Sequence, residues 1–87
     1  MSNVEIDVIY GKDLYVIYGG ANCMWCEQAK KLLETNNEEY LYFDVREDGD
    51  ALAFLQSEGY SSIPQIYMSG EHIGGFNELK EKIKNDK

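Results

Sequence analysis

The sequence of 87 residues is short of positive charge, of proline and of cysteine. Eight Lys and Arg residues stand against sixteen Asp and Glu residues, which gives a net charge of −8. Nucleic acids and anionic membrane surfaces both select proteins with a basic surface, so neither is expected as a partner. A partner that presents a positive surface would be compatible with this charge.

Long apolar runs, linkers and repeats are also missing. No stretch approaches the roughly 20 apolar residues that span a bilayer, and the amino terminus lacks the basic and apolar regions of a signal peptide. One proline and eight glycines leave little room for linkers. We therefore expect one cytoplasmic domain over residues 1–87. Residues 1–12 would form an N-terminal extension whose alternating residues 4–8 either add an edge strand or remain loosely attached.

The pattern from residue 14 onward predicts an α/β domain. An apolar run at residues 14–18 ends in Gly19-Gly20, which is typical of a buried central strand followed by a turn. A strand-helix-strand start requires parallel strands and a right-handed crossover. The expected order is β-α-β-α-β-β-α. Strands are predicted at 14–18, 39–45, 65–69 and 72–74, and helices at 24–35, at 50–57 and from a cap near Asn77 onward.

The two cysteines of the chain, Cys23 and Cys26, lie between the first strand and the first helix. At this spacing they are about one helical turn apart, close enough to form a disulfide. A helix amino terminus stabilises a thiolate, so Cys23 is the expected exposed nucleophile. Cys26, on the apolar face, is the expected buried resolving thiol, which displaces a mixed disulfide formed at Cys23.

Two other interpretations of the cysteine pair are weaker. A zinc site needs four ligands, and the chain offers only His72 in addition to the two thiols, so no metal is expected. An inert buried pair is the second alternative. A cytosolic disulfide is more often catalytic than structural, which favours a redox pair.

Three segments, in order, resemble the glutaredoxin family, especially the small bacterial and phage-type members. They are CMWCEQAKKLL at 23–33, SSIPQI at 61–66 and HIGGFNEL at 72–79. The resemblance extends over nearly the whole chain from residue 13 onward. It implies a thioredoxin-like fold with a central four-stranded mixed sheet and three flanking helices.

The resemblance also implies an activity. The protein would be a glutathione-dependent thiol–disulfide oxidoreductase that reduces protein disulfides or glutathione mixed disulfides through Cys23 and Cys26. Two glutathione molecules would regenerate its dithiol, with no metal, and ribonucleotide reductase is one implied electron acceptor. We expect a monomer.

A glutathione site follows from the same resemblance. Pro64 would follow a cis peptide bond, and the backbone of Ile63 would pair with the cysteine residue of glutathione. The start of the last helix would hold the γ-glutamyl end. The implied glutathione-binding residues are Trp25, Ser62, Ile63, Pro64, Gly75, Phe76, Asn77 and Glu78.

The sequence departs from the family pattern in three places. Met24-Trp25 replaces Pro-Tyr, which frees a backbone N–H beside Cys23. Gly20 replaces a basic residue that contacts a glutathione carboxylate, and Glu78 replaces a shorter aspartate. Two alternative functions therefore stay open: a carrier of a glutathione-ligated iron–sulfur cluster, and a thioredoxin-like electron donor that does not use glutathione.

Overall fold

The computed structural model describes residues 14–86, so the strand predicted around residues 4–8 lies outside the described part. Within it, strands and helices follow the predicted order, with boundaries that differ by single residues from those expected. None of the helices among these residues is long and apolar enough to cross a membrane. The elements are β1 (Tyr15–Gly19), α1 (Met24–Thr35), β2 (Tyr40–Asp44), α2 (Gly49–Ser57), β3 (Gln65–Met68), β4 (Glu71–Gly74) and α3 (Phe76–Asp86).

The four strands form one mixed sheet in the order β2-β1-β3-β4. β1 is parallel to β2, with Ile17 opposite Tyr42, and antiparallel to β3, with Ile17 opposite Ile66. With a neighbour on each side, β1 is the central strand; Tyr15 and Ile17 are buried on one face, and Val16 and Tyr18 are half-buried on the other. The predicted central strand and four-stranded mixed sheet are therefore confirmed.

Alternate residues of β1 point to opposite faces of the sheet, and each face has its own core. Tyr15 and Ile17 pack against α1 and α3, whereas Val16 and Tyr18 pack on the face that α2 covers. The sheet is thus enclosed between two layers of helices. The larger core consists of Tyr15, Ile17, Ala29, Leu33, Ile66, Leu79 and Ile83, and the smaller of Val45, Ala51, Leu55 and Tyr67.

The start of α3 differs from the expected one. The helix begins at Phe76, so Asn77 lies inside its first turn and is not the cap. Glu78 Oε1 accepts a hydrogen bond from the Gly75 backbone N–H at 2.8 Å, which satisfies a donor that the helix itself leaves free. The glutamate three residues into the helix therefore sets its beginning.

Candidate active site

Cys23 and Cys26 form a disulfide at the amino end of α1, with their Cα atoms 5.2 Å apart. Cys23 is the N-cap residue of the helix, and Cys26 lies in its first turn. Cys26 is fully buried, whereas Cys23 is partly exposed. A thiol arriving from solvent therefore reaches Cys23 and not Cys26.

The helix start favours negative charge on Cys23. Its Sγ accepts a hydrogen bond from the Cys26 backbone N–H at 3.2 Å. The partial positive charge of the amino end of α1 lies at the same place. Both interactions stabilise a thiolate at Cys23, which is the form of cysteine that attacks disulfides.

A cleft of about 350 Å³ opens beside the disulfide. Trp25, which lies between the two cysteines in the chain, forms one wall. The structure brings together in this cleft all eight residues that the resemblance implied, although they come from three separate segments. The lining residues are Trp25, Ser62, Ile63, Pro64, Gln65, Gly75, Phe76, Asn77 and Glu78.

Residues 62–65 form one wall of the cleft, and a series of hydrogen bonds fixes the position of this wall. The Ile63–Pro64 peptide bond is cis, as the resemblance implied. The Gln65 side-chain amide, which is buried, donates to both the backbone oxygen and the Oγ of Ser62 at 3.1 Å. Its Oε1 lies 2.7 Å from His72 Nε2 and accepts that N–H. Gln65 therefore connects the cleft wall to β4.

The His72 ring has a partner on its other nitrogen. Tyr60 Oη lies 3.2 Å from His72 Nδ1, and the two rings are stacked with centroids 4.4 Å apart. Because Nε2 donates to Gln65, Nδ1 is the acceptor and the tyrosine hydroxyl is the donor. The predicted strand position of His72 is confirmed, and the side chain supports the wall from outside the cleft.

The opposite wall is the turn from β4 into α3. Gly74 has φ 132°, and a Cβ there would lie 2.7 Å from Glu78 Cγ. Glycine is therefore required at this position, both for the backbone conformation and for the space. It lets the Glu78 side chain fold back to Gly75 at the edge of the cleft.

Two aromatic rings close the end of the cleft. Trp25 and Phe76 lie with centroids 5.3 Å apart and planes inclined by 32°. Trp25 is 52% exposed, and Met24 beside it is 63% exposed. This contact joins the disulfide-bearing helix to the start of α3.

Arg46 lies next to Gly20, where the sequence lacks the usual basic side chain. Atoms of its guanidinium lie 3.3 Å from the place of a Cβ on Gly20, and Ile63 Cδ1 lies 3.1 Å from it. Nη1 donates to the backbone oxygen of Ala21. No carboxylate of residues 14–85 forms an ion pair with this guanidinium. A positive charge thus lies beside Ile63 despite the glycine.

Sequence reasoning did not select Gln65 or Arg46. A signal existed for each. Gln65 directly follows Pro64 within the second motif, and a polar residue at the start of a buried strand needs partners. Gly20 comes directly after β1, and Arg46 comes two residues after the end of β2. Because these strands are parallel, with Gly19 opposite Asp44, the residues beyond their carboxyl ends are neighbours.

Comparisons with known proteins identify the family. The glutaredoxin family model matches residues 8–73. Glutaredoxin 1 of Escherichia coli is 32% identical over 79 residues, covering 82% of this chain and 93% of its own length. The chain belongs to the glutaredoxin family.

Solved structures agree with this assignment. Glutaredoxin 1 of Francisella tularensis, complexed with cacodylate, has a TM-score of 0.65 at 29% identity, covering 85% of this chain and 95% of that one. A buckwheat glutaredoxin–glutathione complex has a TM-score of 0.71 at 25% identity, covering 95% of this chain and 79% of that one. The thioredoxin-like α/β fold is confirmed. With the Cys23–Cys26 pair, the family supports thiol–disulfide oxidoreductase activity.

Proposed function

We propose that this protein uses glutathione to reduce protein disulfides and glutathione mixed disulfides. The observation that carries the proposal is the cleft of about 350 Å³ beside the Cys23–Cys26 disulfide. A peptide of three residues is of a size to lie in such a cleft with its thiol at the cysteine pair. The buckwheat relative supports the proposal, because its structure is a complex with glutathione.

The chemistry starts at Cys23. Its thiolate attacks the glutathione sulfur of a mixed disulfide, and the substrate sulfur leaves as a thiolate that takes a proton from water. A second glutathione thiolate then attacks the glutathione sulfur held on Cys23. Oxidised glutathione forms, and the electron pair of the broken bond returns to Cys23.

Protein disulfides use both cysteines. Cys23 attacks one sulfur of the substrate and forms a mixed disulfide with the substrate protein. Cys26 then attacks Cys23 Sγ, which releases the substrate as a dithiol and leaves the Cys23–Cys26 disulfide. Two glutathione molecules reduce that disulfide again. Ribonucleotide reductase belongs to the proposed class of substrates, and a reducing cytoplasm is the proposed compartment.

The groups around the cleft suit the charges of glutathione, which carries two carboxylates and one ammonium group. Backbone N–H groups at the start of α3 can donate hydrogen bonds to the γ-glutamyl carboxylate, with the helix dipole adding to the attraction. The Glu78 carboxylate lies beside them and can accept from the ammonium group. The Ile63 backbone N–H and C=O have no hydrogen-bond partner among residues 14–86 and are available to the peptide.

Arg46 replaces the missing basic side chain at position 20 in this proposal. Its guanidinium lies beside Ile63, so it can pair with the carboxylate at the glycine end of glutathione while the cysteine residue pairs with Ile63. An arginine that already donates to a backbone oxygen keeps further N–H groups for a carboxylate.

The test is turnover of a glutathionylated peptide, coupled through glutathione reductase. We expect Cys23→Ser to abolish turnover and Cys26→Ser to retain it, because only Cys23 handles a glutathione mixed disulfide. The Cys26→Ser variant should instead lose reduction of a protein disulfide. Wild-type turnover no faster than that of Cys23→Ser would reject the proposal. Two results together would also reject it: calorimetry that detects no glutathione binding, and rapid reduction of the protein by a thioredoxin reductase.

A further inference from the structure

The carboxyl end of β1 leaves a small space behind the disulfide. A Cβ on Gly19 would lie 2.6 Å from Tyr42 Oη and 2.9 Å from Cys26 Sγ. Both distances are too short for any side chain. The glycine therefore lets the tyrosine oxygen and the resolving sulfur share one space, with nothing between them from position 19.

Several contacts fix the Tyr42 hydroxyl there. Tyr42 lies on β2 opposite Ile17, and its Oη donates to the Gly20 backbone oxygen at 3.0 Å. Lys30 Nζ lies 4.4 Å from the centroid of its ring. Burial raises the pKa of Tyr42, so the hydroxyl keeps its proton at neutral pH. The Tyr42 hydroxyl is therefore a hydrogen-bond donor close to Cys26.

Reduction of the disulfide puts charge on Cys26. A thiolate that attacks Cys23 Sγ breaks the bond to Cys26, and the electron pair leaves on Cys26 Sγ. That sulfur is fully buried, and a charge in such a place is unfavourable unless a donor reaches it. Once released from Cys23, the sulfur still borders the space above Gly19, as it does in the disulfide.

We propose that the Tyr42 hydroxyl donates a hydrogen bond to the Cys26 thiolate and stabilises it as the leaving group. The hydroxyl turns from the Gly20 oxygen to the sulfur when the S–S bond breaks. Cys26 then takes a proton from solvent, and the hydroxyl stays on its sulfur, because a thiol sulfur also accepts a hydrogen bond, although weakly. A second thiol displaces the adduct from Cys23. Overall, the two attacking thiols are oxidised to one disulfide, and the Cys23–Cys26 disulfide is reduced to a dithiol.

The hydrogen bond forms only in the reduced protein, so it stabilises the dithiol relative to the disulfide. Removing it with Tyr42→Phe should favour the disulfide about threefold to tenfold. That corresponds to a reduction potential about 15 to 30 mV more negative. This inference concerns thiol–disulfide exchange itself and holds whichever thiol is the reductant.

The experiment equilibrates each protein with mixtures of reduced and oxidised dithiothreitol and counts free thiols by alkylation and mass spectrometry. Tyr40→Phe is the matched control. It also removes a tyrosine hydroxyl from β2, but that hydroxyl donates to Glu34 and lies away from the disulfide. We expect only Tyr42→Phe to shift the equilibrium. No shift, a shift toward the dithiol, or an equal shift in the control would overturn the proposal.

A measurement on the wild-type chain covers the case in which Tyr42→Phe does not fold. The carbon-13 resonance of the Tyr42 ring carbon that bears the hydroxyl should move on reduction, because the hydroxyl changes partner. An unchanged resonance overturns the proposal. Because neither experiment contains glutathione, their failure is distinguishable from failure of the glutathione-coupled assay.

Discussion

His72 Nε2 lies 2.7 Å from Gln65 Oε1, and this contact links the lone histidine of the chain to the wall of the active-site cleft. The amide that His72 holds donates in turn to the backbone oxygen and the hydroxyl of Ser62. The position of Ser62 and Ile63 therefore depends on a side chain from β4 that does not line the cleft.

Replacing His72 by phenylalanine should weaken glutathione binding. An aromatic ring able to stack on Tyr60 is retained, but the hydrogen bonds to Gln65 and to the Tyr60 hydroxyl are lost. A neutral hydrogen bond contributes about 1 kcal/mol, so we expect KM for glutathione to rise about threefold to tenfold with kcat little changed. Steady-state kinetics measure both. Tyr60→Phe, which removes a contact one step further from the cleft, should have a smaller effect. A fall in kcat at constant KM would contradict this role.

Replacing Arg46 by methionine should also raise KM for glutathione, by about tenfold at low salt, because a charge-assisted hydrogen bond contributes about 1.5 kcal/mol or more. The aliphatic part of the side chain, and so its packing beside Gly20, is largely retained. The control is Lys84→Met, which removes one positive charge from the last turn of α3, at the end of the helix away from the cleft. The difference between the two variants should shrink as salt screens the charge. Equal effects of both variants would show that net charge alone is responsible.

Stability should fall in alkali as the tyrosines ionise. Burial and the hydrogen bond from its hydroxyl to Glu58 raise the pKa of Tyr67 to about 12. In the unfolded chain the pKa of a tyrosine is about 10. The folded state therefore holds the proton more tightly, so its advantage is complete below about pH 10 and is lost between about pH 10 and 12.

Urea unfolding at several pH values across this window measures the effect. Tyr67→Phe should be less stable than the wild type at neutral pH, because its hydrogen bond to Glu58 is gone. Its free energy of unfolding should then decline less steeply between about pH 10 and 12. The same slope in both proteins would refute the assignment to Tyr67.

Most of the fold was predictable from the sequence because the elements are short and strongly patterned. The run at 14–18 is apolar on both faces, as a central strand must be. The three family motifs contain both cysteines and all eight of the residues that the resemblance implied for the cleft. The cap of α3 was misplaced by two residues, because Asn77 is a good cap by type whereas Glu78 reaches back to Gly75, the residue before the helix.

The residues that sequence reasoning missed act through tertiary contacts. Arg46 lies beside Gly20 although 26 positions separate them in the sequence, and Tyr42 approaches Cys26 only because Gly19 has no side chain. Pairing of parallel strands creates both contacts. A motif defines which residues lie in one segment, whereas these contacts depend on the register between β1 and β2.

The contact between Trp25 and Phe76 gives the protein a built-in optical signal. Trp25 is the single tryptophan of the chain, so light beyond the tyrosine absorption band excites it alone. Its indole lies between a disulfide that changes with oxidation state and a cleft rim that a peptide would cover. The fluorescence intensity of Trp25 can therefore report reduction of the disulfide. Its emission wavelength can report binding of a peptide that excludes water from the cleft rim, without any attached dye.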